Sequence, residues 1–152
     1  MSKKRIALGI INVTVICIGI ILMLTSCGGN EGKKTIDDVV KSVTKSKYDV
    51  KSNDGLVTIT IENKNINDRY KPILLDQAAE IFAGISKIDQ VKSPSVHFNA
   101  KLTDAYGNET IGEVLGIYFS EDTFNKVNWE NYKKLDLKRI ADDYKQHEAF
   151  KD

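Results

Sequence analysis

The sequence predicts an α+β domain: an antiparallel sheet of three to four strands with amphipathic helices packed on one face. Three observations predict it. Apolar and polar residues alternate over 57–62 and again over 96–103, the period of a half-buried strand. Between these stretches Leu74, Leu75, Ala78, Ile81, Phe82 and Ile85 recur at helical spacing and give a face broad enough to pack on a sheet. The outward residues of both strands are polar, which leaves one sheet face to solvent or to a partner.

Each element has its own signal. Thr35 followed by Asp38 is a helix N-cap with an acid in the first turn, and Ile36, Val39, Val40 and Val43 follow at helical spacing as far as about Ser46. Lys41 and Lys45 lie opposite this stripe. They form a solvated face or, with Lys33 and Lys34, a patch that leans on anionic lipid headgroups. A short strand over 48–52 runs into Asn53-Asp54-Gly55, a strong hairpin turn. Val57, Ile59 and Ile61 make the inward face of the next strand, and residues 63–71 a polar loop. Pro72 suits the first turn of the long helix, whose last turn Gly84 weakens.

Val96, Phe98, Ala100 and Leu102 then alternate with His97, Asn99, Lys101 and Thr103, and residues 104–108 close a hairpin. The returning strand, over about 110–119, is expected to turn Ile111, Leu115, Ile117 and Phe119 inward. Gly112 and Gly116 mark a bulge or a close packing contact that shifts its phase. Ser120-Glu121-Asp122 opens a short helical turn reaching Val127. Trp129 follows in a connector. Asp136 is expected to cap a last helix with Leu137, Ile140, Ala141 and Tyr144 on one face.

The segment before the domain is of a different kind. Lys3, Lys4 and Arg5 precede an apolar run from Ile6 to Leu24, and Leu24-Thr25-Ser26-Cys27 closes it. A basic start, an apolar stretch and a short cleavage region define a secretory signal, although this stretch exceeds the usual length of about 7–15 residues. It nears the roughly 20 that span a bilayer, so an uncleaved membrane anchor is the rival reading. An aliphatic residue, two small residues and Cys is the lipobox pattern, and the segment resembles a bacterial lipoprotein signal peptide. That resemblance implies three regions: residues 1–26 a signal peptide, 27–34 a lipidated Cys27 and a flexible tether, and 35–152 a single extracytoplasmic domain. It places the protein on the outer face of the cytoplasmic membrane, held by acyl groups on Cys27. Stretched out, the seven residues 28–34 reach about 23 Å.

Removing residues 1–26 takes away three basic residues and no acid. This leaves 19 basic against 21 acidic residues and turns the net charge from +1 to −2. A near-neutral domain of roughly 120 residues is enough for one core and is not a nucleic-acid binder. The two cysteines are Cys17, which would leave with the signal, and Cys27, which would be acylated. The mature domain then has no disulfide, thiolate metal site or Cys nucleophile.

Catalytic and metal patterns are not found. The two histidines, His97 on a polar strand face and His147 near the C-terminus, have no metal-ligand spacing. Residues 63–68 place oxygen ligands at alternate positions as a calcium loop does. However, Asp68 stands where the sixth-position Gly belongs and Leu74 where the twelfth-position acid belongs. Asp37-Asp38 and Asp142-Asp143 are helix neighbours that point about 100° apart and do not converge. No cofactor and no metal is expected.

Thr58-Ile59-Thr60-Ile61-Glu62, Asp104-Ala105-Tyr106-Gly107-Asn108, Asn128-Trp129-Glu130-Asn131 and Ile140-Ala141-Asp142 together resemble the run of motifs in small lipoproteins of Gram-positive bacteria. That resemblance carries no activity with it. The expected function is a non-enzymatic, lipid-anchored surface lipoprotein that binds an envelope protein, and exclusion or immunity for a mobile element is one such role. The contact candidates are Tyr106 at a hairpin tip, His97, and Trp129 if it is an exposed anchor rather than core. The alternative is a small-molecule or cell-wall binding module using the sheet face around Thr58, His97, Asn99 and Lys101. A concave, partly apolar pocket would favour that alternative, and a flat, charged face would favour protein binding.

Overall fold

The computed structural model describes residues 33–64 and 68–148. The first helix, α1 (Ile36–Val43), begins on a complete capping box. The Thr35 hydroxyl accepts the Asp38 N–H, while the Asp38 carboxylate accepts both the N–H and the hydroxyl proton of Thr35. Strands β1 (Lys47–Asn53) and β2 (Leu56–Asn63) form a hairpin whose two central residues, Asp54 and Gly55, have φ of 49° and 85°. Positive φ at both positions makes a type I′ turn, the turn whose twist matches that of the flanking strands.

A 3-10 turn (Asp68–Tyr70) leads into the long helix α2 (Lys71–Ile85), and the chain returns as β3 (Ser93–Thr103). Here the sheet departs from the all-antiparallel expectation, because β2 and β3 are parallel, with Leu56 opposite Ser93 and Asn63 opposite Ala100. The cause is the helix. Its 15 residues carry the chain about 22 Å, the length of some seven strand residues, back to the end where β2 began. The carbonyl of Gly55 accepts the N–H of both Lys92 and Ser93, at 2.9 and 3.0 Å, and so ties the start of β3 beside the start of β2.

β3 pairs antiparallel with β4 (Glu109–Tyr118). The ladder shifts between Phe98 and Asn99: Phe98 faces Leu115 while Asn99 faces Glu113, which leaves Val114 as an extra residue. This bulge corrects one inward assignment. Alternation counted back from Ile117 puts Ile111 in the core. The extra residue reverses the phase, so Ile111 lies across from Lys101 on the open face with 69% of its surface exposed.

After α3 (Glu121–Lys126), a 3-10 turn (Trp129–Lys134) and a single turn α4 (Leu137–Ile140), the chain ends in β5 (Asp143–Gln146) along β4. The expected last helix is thus one turn followed by a strand. The strand half follows from the need of β4: its residues 114–117 are buried, and an unpaired edge there would leave backbone groups unsatisfied. Asp142 fixes the crossing point. Its carboxylate accepts the backbone N–H of Ser120 at 2.7 Å and the hydroxyls of Ser120 and Thr123, while its own N–H donates to the Tyr118 carbonyl.

The five strands run in the order β1-β2-β3-β4-β5, and cross-strand partners line up in rows. Val50, Ile59, Val96, Ile117 and Tyr144 form one row of the inner face, and Tyr48, Ile61, Phe98 and Leu115 the next. α2 covers this face with Leu74, Ala78, Ile81, Phe82 and Ile85, all buried. α1 lies against α2, where Val39 meets Gly84 so closely that a Cβ on residue 84 would stand 2.4 Å from a Val39 methyl. Beside them Phe82, Phe119, Phe124 and Trp129 form an aromatic cluster of edge-on and tilted pairs with centroids 4.9 to 6.3 Å apart. Among the described residues no helix is long and apolar enough to cross a membrane.

Candidate functional site

The open face of the sheet carries the polar partners of the core rows: Lys47, Asp49 and Lys51 on β1, Thr58, Thr60 and Glu62 on β2, and His97, Asn99 and Lys101 on β3. On this face Nδ1 of half-buried His97 lies 2.6 Å from a carboxylate oxygen of Glu113. Gly116 makes room for the pair, since a Cβ there would meet the Glu113 carboxylate at 2.8 Å and His97 Nδ1 at 3.3 Å. The bulge supplies the partner, because it turns Glu113 to the same face as His97. Thr58 bonds to Ser95 at 3.3 Å, an internal contact of this face.

A large concavity lies at one end of the sheet, where β2 leaves for α2. It is a groove of about 1320 Å³. The end of α1 and the start of β1 form one wall with Val43, Lys45, Ser46 and Lys47. The start of α2 forms the other with Tyr70, Ile73, Leu74 and Gln77. The floor is the end of β2 (Glu62, Asn63, Lys64) together with Asn99, Lys101 and Ile111. This location follows from the β2–α2–β3 unit: ligand clefts of parallel strands open at their carboxyl ends, where the connection to the helix leaves a crevice.

The lining has three chemical characters. Tyr70, Ile73 and Ile111 are 41%, 49% and 69% exposed, three of the five large hydrophobic side chains that the described residues leave in solvent. Among the described residues, four lysines stand against one carboxylate. Lys47 is held by Glu62 at 3.1 Å and Lys101 by Glu109, whereas Lys45 and Lys64 make no ion pair among the described residues. Two amide atoms, Nδ2 of Asn63 and Oε1 of Gln77, are buried with no hydrogen-bond partner. The oxygen of Asn63 is already engaged by the Ser46 hydroxyl at 2.9 Å. An orphaned buried donor or acceptor costs about 1–3 kcal/mol, and these two atoms are enclosed by the protein rather than presented to the groove.

The contact candidates read from the sequence fall in different places. Tyr106 stands at the tip of the hairpin between β3 and β4, 91% exposed, its N–H bound to the Asp104 carboxylate at 2.8 Å. His97 lies on the open face and does not line the groove, whereas Asn99 and Lys101 do. Trp129 is not an exposed anchor. It is 8% exposed, packed on Phe82, Phe119 and Phe124, and its indole N–H donates to the Phe124 carbonyl at 2.9 Å. Leu24, Thr25, Ser26 and Cys27 lie outside the described residues.

Sequence reasoning missed Asn63, Tyr70, Ile73 and Gln77, and it assigned Ile111 to the core. One signal was available for Ile73: it stands off the stripe that Leu74, Ala78, Ile81 and Ile85 define, so an isoleucine there has no core to enter. Comparison with known proteins finds no matching family model, no matching curated protein and no matching solved structure.

Proposed function

We propose that this chain is a non-enzymatic, lipid-anchored surface lipoprotein, tethered through Cys27 to the outer face of the cytoplasmic membrane, and that its groove binds an envelope protein. The observation that carries the reading is the convergence of Tyr70, Ile73 and Ile111 on one groove. Exposed apolar residues scattered singly need no explanation, but three that gather in a concavity rimmed with charge have the composition of a contact site. A volume of about 1320 Å³ also exceeds the roughly 300–1,000 Å³ of small-molecule pockets and suits a segment of chain. A short tether raises the effective concentration of the domain for partners in the same membrane. Exclusion or immunity at the cell surface is the narrower form of this reading.

The test is photo-crosslinking in living cells from residue 73 and residue 111, with exposed Lys138 on α4 as the control position. The expected result is one envelope protein captured from both groove positions and lost in an Ile73→Lys variant. Adducts no stronger than those at the control position would overturn the reading. For the anchor, Cys27→Ala is expected to abolish acylation and release the protein from membranes. Retention at an unchanged level would favour the uncleaved apolar segment instead.

A second reading, a cell-wall or small-molecule binding module, is favoured by the concave, partly apolar lining of the groove. Saturable binding of purified muropeptides, lost on substitution of Gln77, would establish it in place of protein binding.

A further inference from the structure

We infer that the free edge of β1 docks a second copy of this chain: two copies pair β1 to β1, antiparallel, about a two-fold axis at Val50. This goes beyond the groove and does not depend on what binds there.

β1 ends the sheet, and its one strand neighbour among the described residues is β2. The I′ turn fixes which of its backbone groups face outward. Asn53 and Leu56 flank the turn and form its closing hydrogen-bonded pair, and bonded and unbonded pairs alternate along an antiparallel ladder. Lys47, Asp49, Lys51 and Asn53 therefore turn their N–H and C=O groups toward β2. Those of Tyr48, Val50 and Ser52 point away from the sheet, a row of donors and acceptors that templates another strand.

The apolar rows run out to the same edge. Ile59 and Ile61 are fully buried, whereas Val50 and Tyr48, at the ends of their rows, are only half-buried. A two-fold axis perpendicular to the sheet keeps the helices of both copies on one side and sets Val50 against Val50. One apolar row then runs Ile59, Val50, Val50, Ile59 across the junction.

Charge selects the register. Charged side chains at an edge commonly prevent such pairing. On β1, however, Lys47, Asp49 and Lys51 alternate in sign along the open face, so the outcome depends on where the axis falls. An axis at Asp49 sets Asp49 against Asp49 and Lys47 against Lys51. An axis at Lys51 sets that lysine against itself. An axis at Tyr48 matches Lys47 with Asp49 but brings Lys45 opposite Lys51. An axis at Val50 sets Asp49 of each copy against Lys51 of the other, and Lys47 against the uncharged Asn53, with no like charges opposed. Within one strand Asp49 and Lys51 stand 3.9 Å apart and are 65% and 81% exposed, a loose contact that leaves both able to take the new partner.

The experiment is disulfide trapping of the full-length chain in intact cells that make two differently tagged copies, one Lys47→Cys and the other Asn53→Cys. In the Val50-centred register these positions are directly opposed with Cα atoms about 4.5 Å apart, within disulfide reach. Each is about 20 Å from its own counterpart, so either variant alone should trap nothing above a chain with no added cysteine. The expected result is a product that carries both tags.

Lys51→Glu in both copies opposes two pairs of carboxylates and should cut that product at least about tenfold. The exchange Asp49→Lys/Lys51→Asp restores complementarity in the same register and should recover it. Val50→Pro removes an outward N–H that β2 does not use and should abolish the product. Unfolding midpoints of the Lys51→Glu and exchanged chains close to wild type would show that the loss and recovery belong to association. Three results would overturn the inference: no product with both tags above background, equal trapping by either variant alone, or a product indifferent to Lys51→Glu.

Discussion

Gly84→Ala is expected to destabilise the domain, against the ordinary expectation for a helix. In an exposed helix interior, alanine is better than glycine by about 1 kcal/mol. At this position the added Cβ would stand 2.4 Å from one methyl of Val39 and 3.2 Å from the other. Carbon atoms in contact prefer about 3.5–4.0 Å, so α1 must withdraw from α2 by roughly 1 Å or Val39 must leave its rotamer. Both routes are costly. Val39 is 2% exposed and β-branched, hence stiff at χ1, and overpacking of this kind costs about 1–3 kcal/mol. The net loss expected is about 1–2 kcal/mol. Val39→Ala alone removes two buried methyl groups and should cost about 2 kcal/mol. In the double variant the new methyl occupies part of the space those groups vacate, so the two losses should fall short of additivity by about 1–2 kcal/mol. Urea unfolding followed by the fluorescence of Trp129, the single tryptophan and a neighbour of Phe82 on the same helix, reads the effect. A Gly84→Ala variant more stable than wild type, or strict additivity with Val39→Ala, would refute the close approach of the two helices.

Three further outcomes are expected. Trp129→Ala should cost about 3–5 kcal/mol, measured by thermal unfolding with circular dichroism, because it opens the aromatic cluster and leaves the Phe124 carbonyl without its donor; a loss below 1 kcal/mol would return Trp129 to the surface. Tyr106→Ala should leave stability within about 0.5 kcal/mol in the same assay, since the side chain is 91% exposed. Asp142 is held below its ordinary value of 3.8, first by the Ser120 N–H and then by the hydroxyls of Thr123 and Ser120. A carboxylate depressed in the folded state contributes stability that is present above its unfolded value and lost as pH falls through its folded value. Asp142→Asn should therefore flatten the fall in stability below about pH 4 that denaturant titration would record for the wild type; an unchanged acid limb would show that these bonds do not set it.

How far the sequence reaches is visible element by element. The I′ turn at Asp54-Gly55, the alternating strand that follows it and the core face of α2 depend on local chemistry, and each is where the residues place it. The α+β class follows from them. What was not legible depends on distant partners. A helix long enough to span the sheet lies between β2 and β3, and that is itself a signal for parallel pairing that the antiparallel expectation did not use. Leu137, Ile140, Ala141 and Tyr144 fit a helix as well as a turn and a strand, and only the buried stretch of β4 decides between them. The groove was legible in two of its residues, Asn99 and Lys101, as members of a polar strand face. The rest come from six other elements and the loops beside them, and an unpartnered amide is a property of the packed chain that no spacing encodes.

The extra residue in β4 also bears on which changes of length the strand can absorb. Between Glu113 and Leu115 the chain holds one link more than β3 has places for, and Val114 is that slack. A one-residue deletion here draws the slack out: the ladder becomes regular, and Ile111 stays opposite Lys101 while Leu115 stays opposite Phe98. A one-residue insertion has no such outlet and must either enlarge the kink or slide the hairpin, which would carry Ile111 out of the groove and Glu113 away from His97. The strand is therefore asymmetric toward changes of length: a loss keeps the β3 register, at the expense of the buried Val114 side chain and of the carbonyl that accepts the His147 N–H, whereas a gain breaks it, and the 104–108 loop is the place where this hairpin can grow.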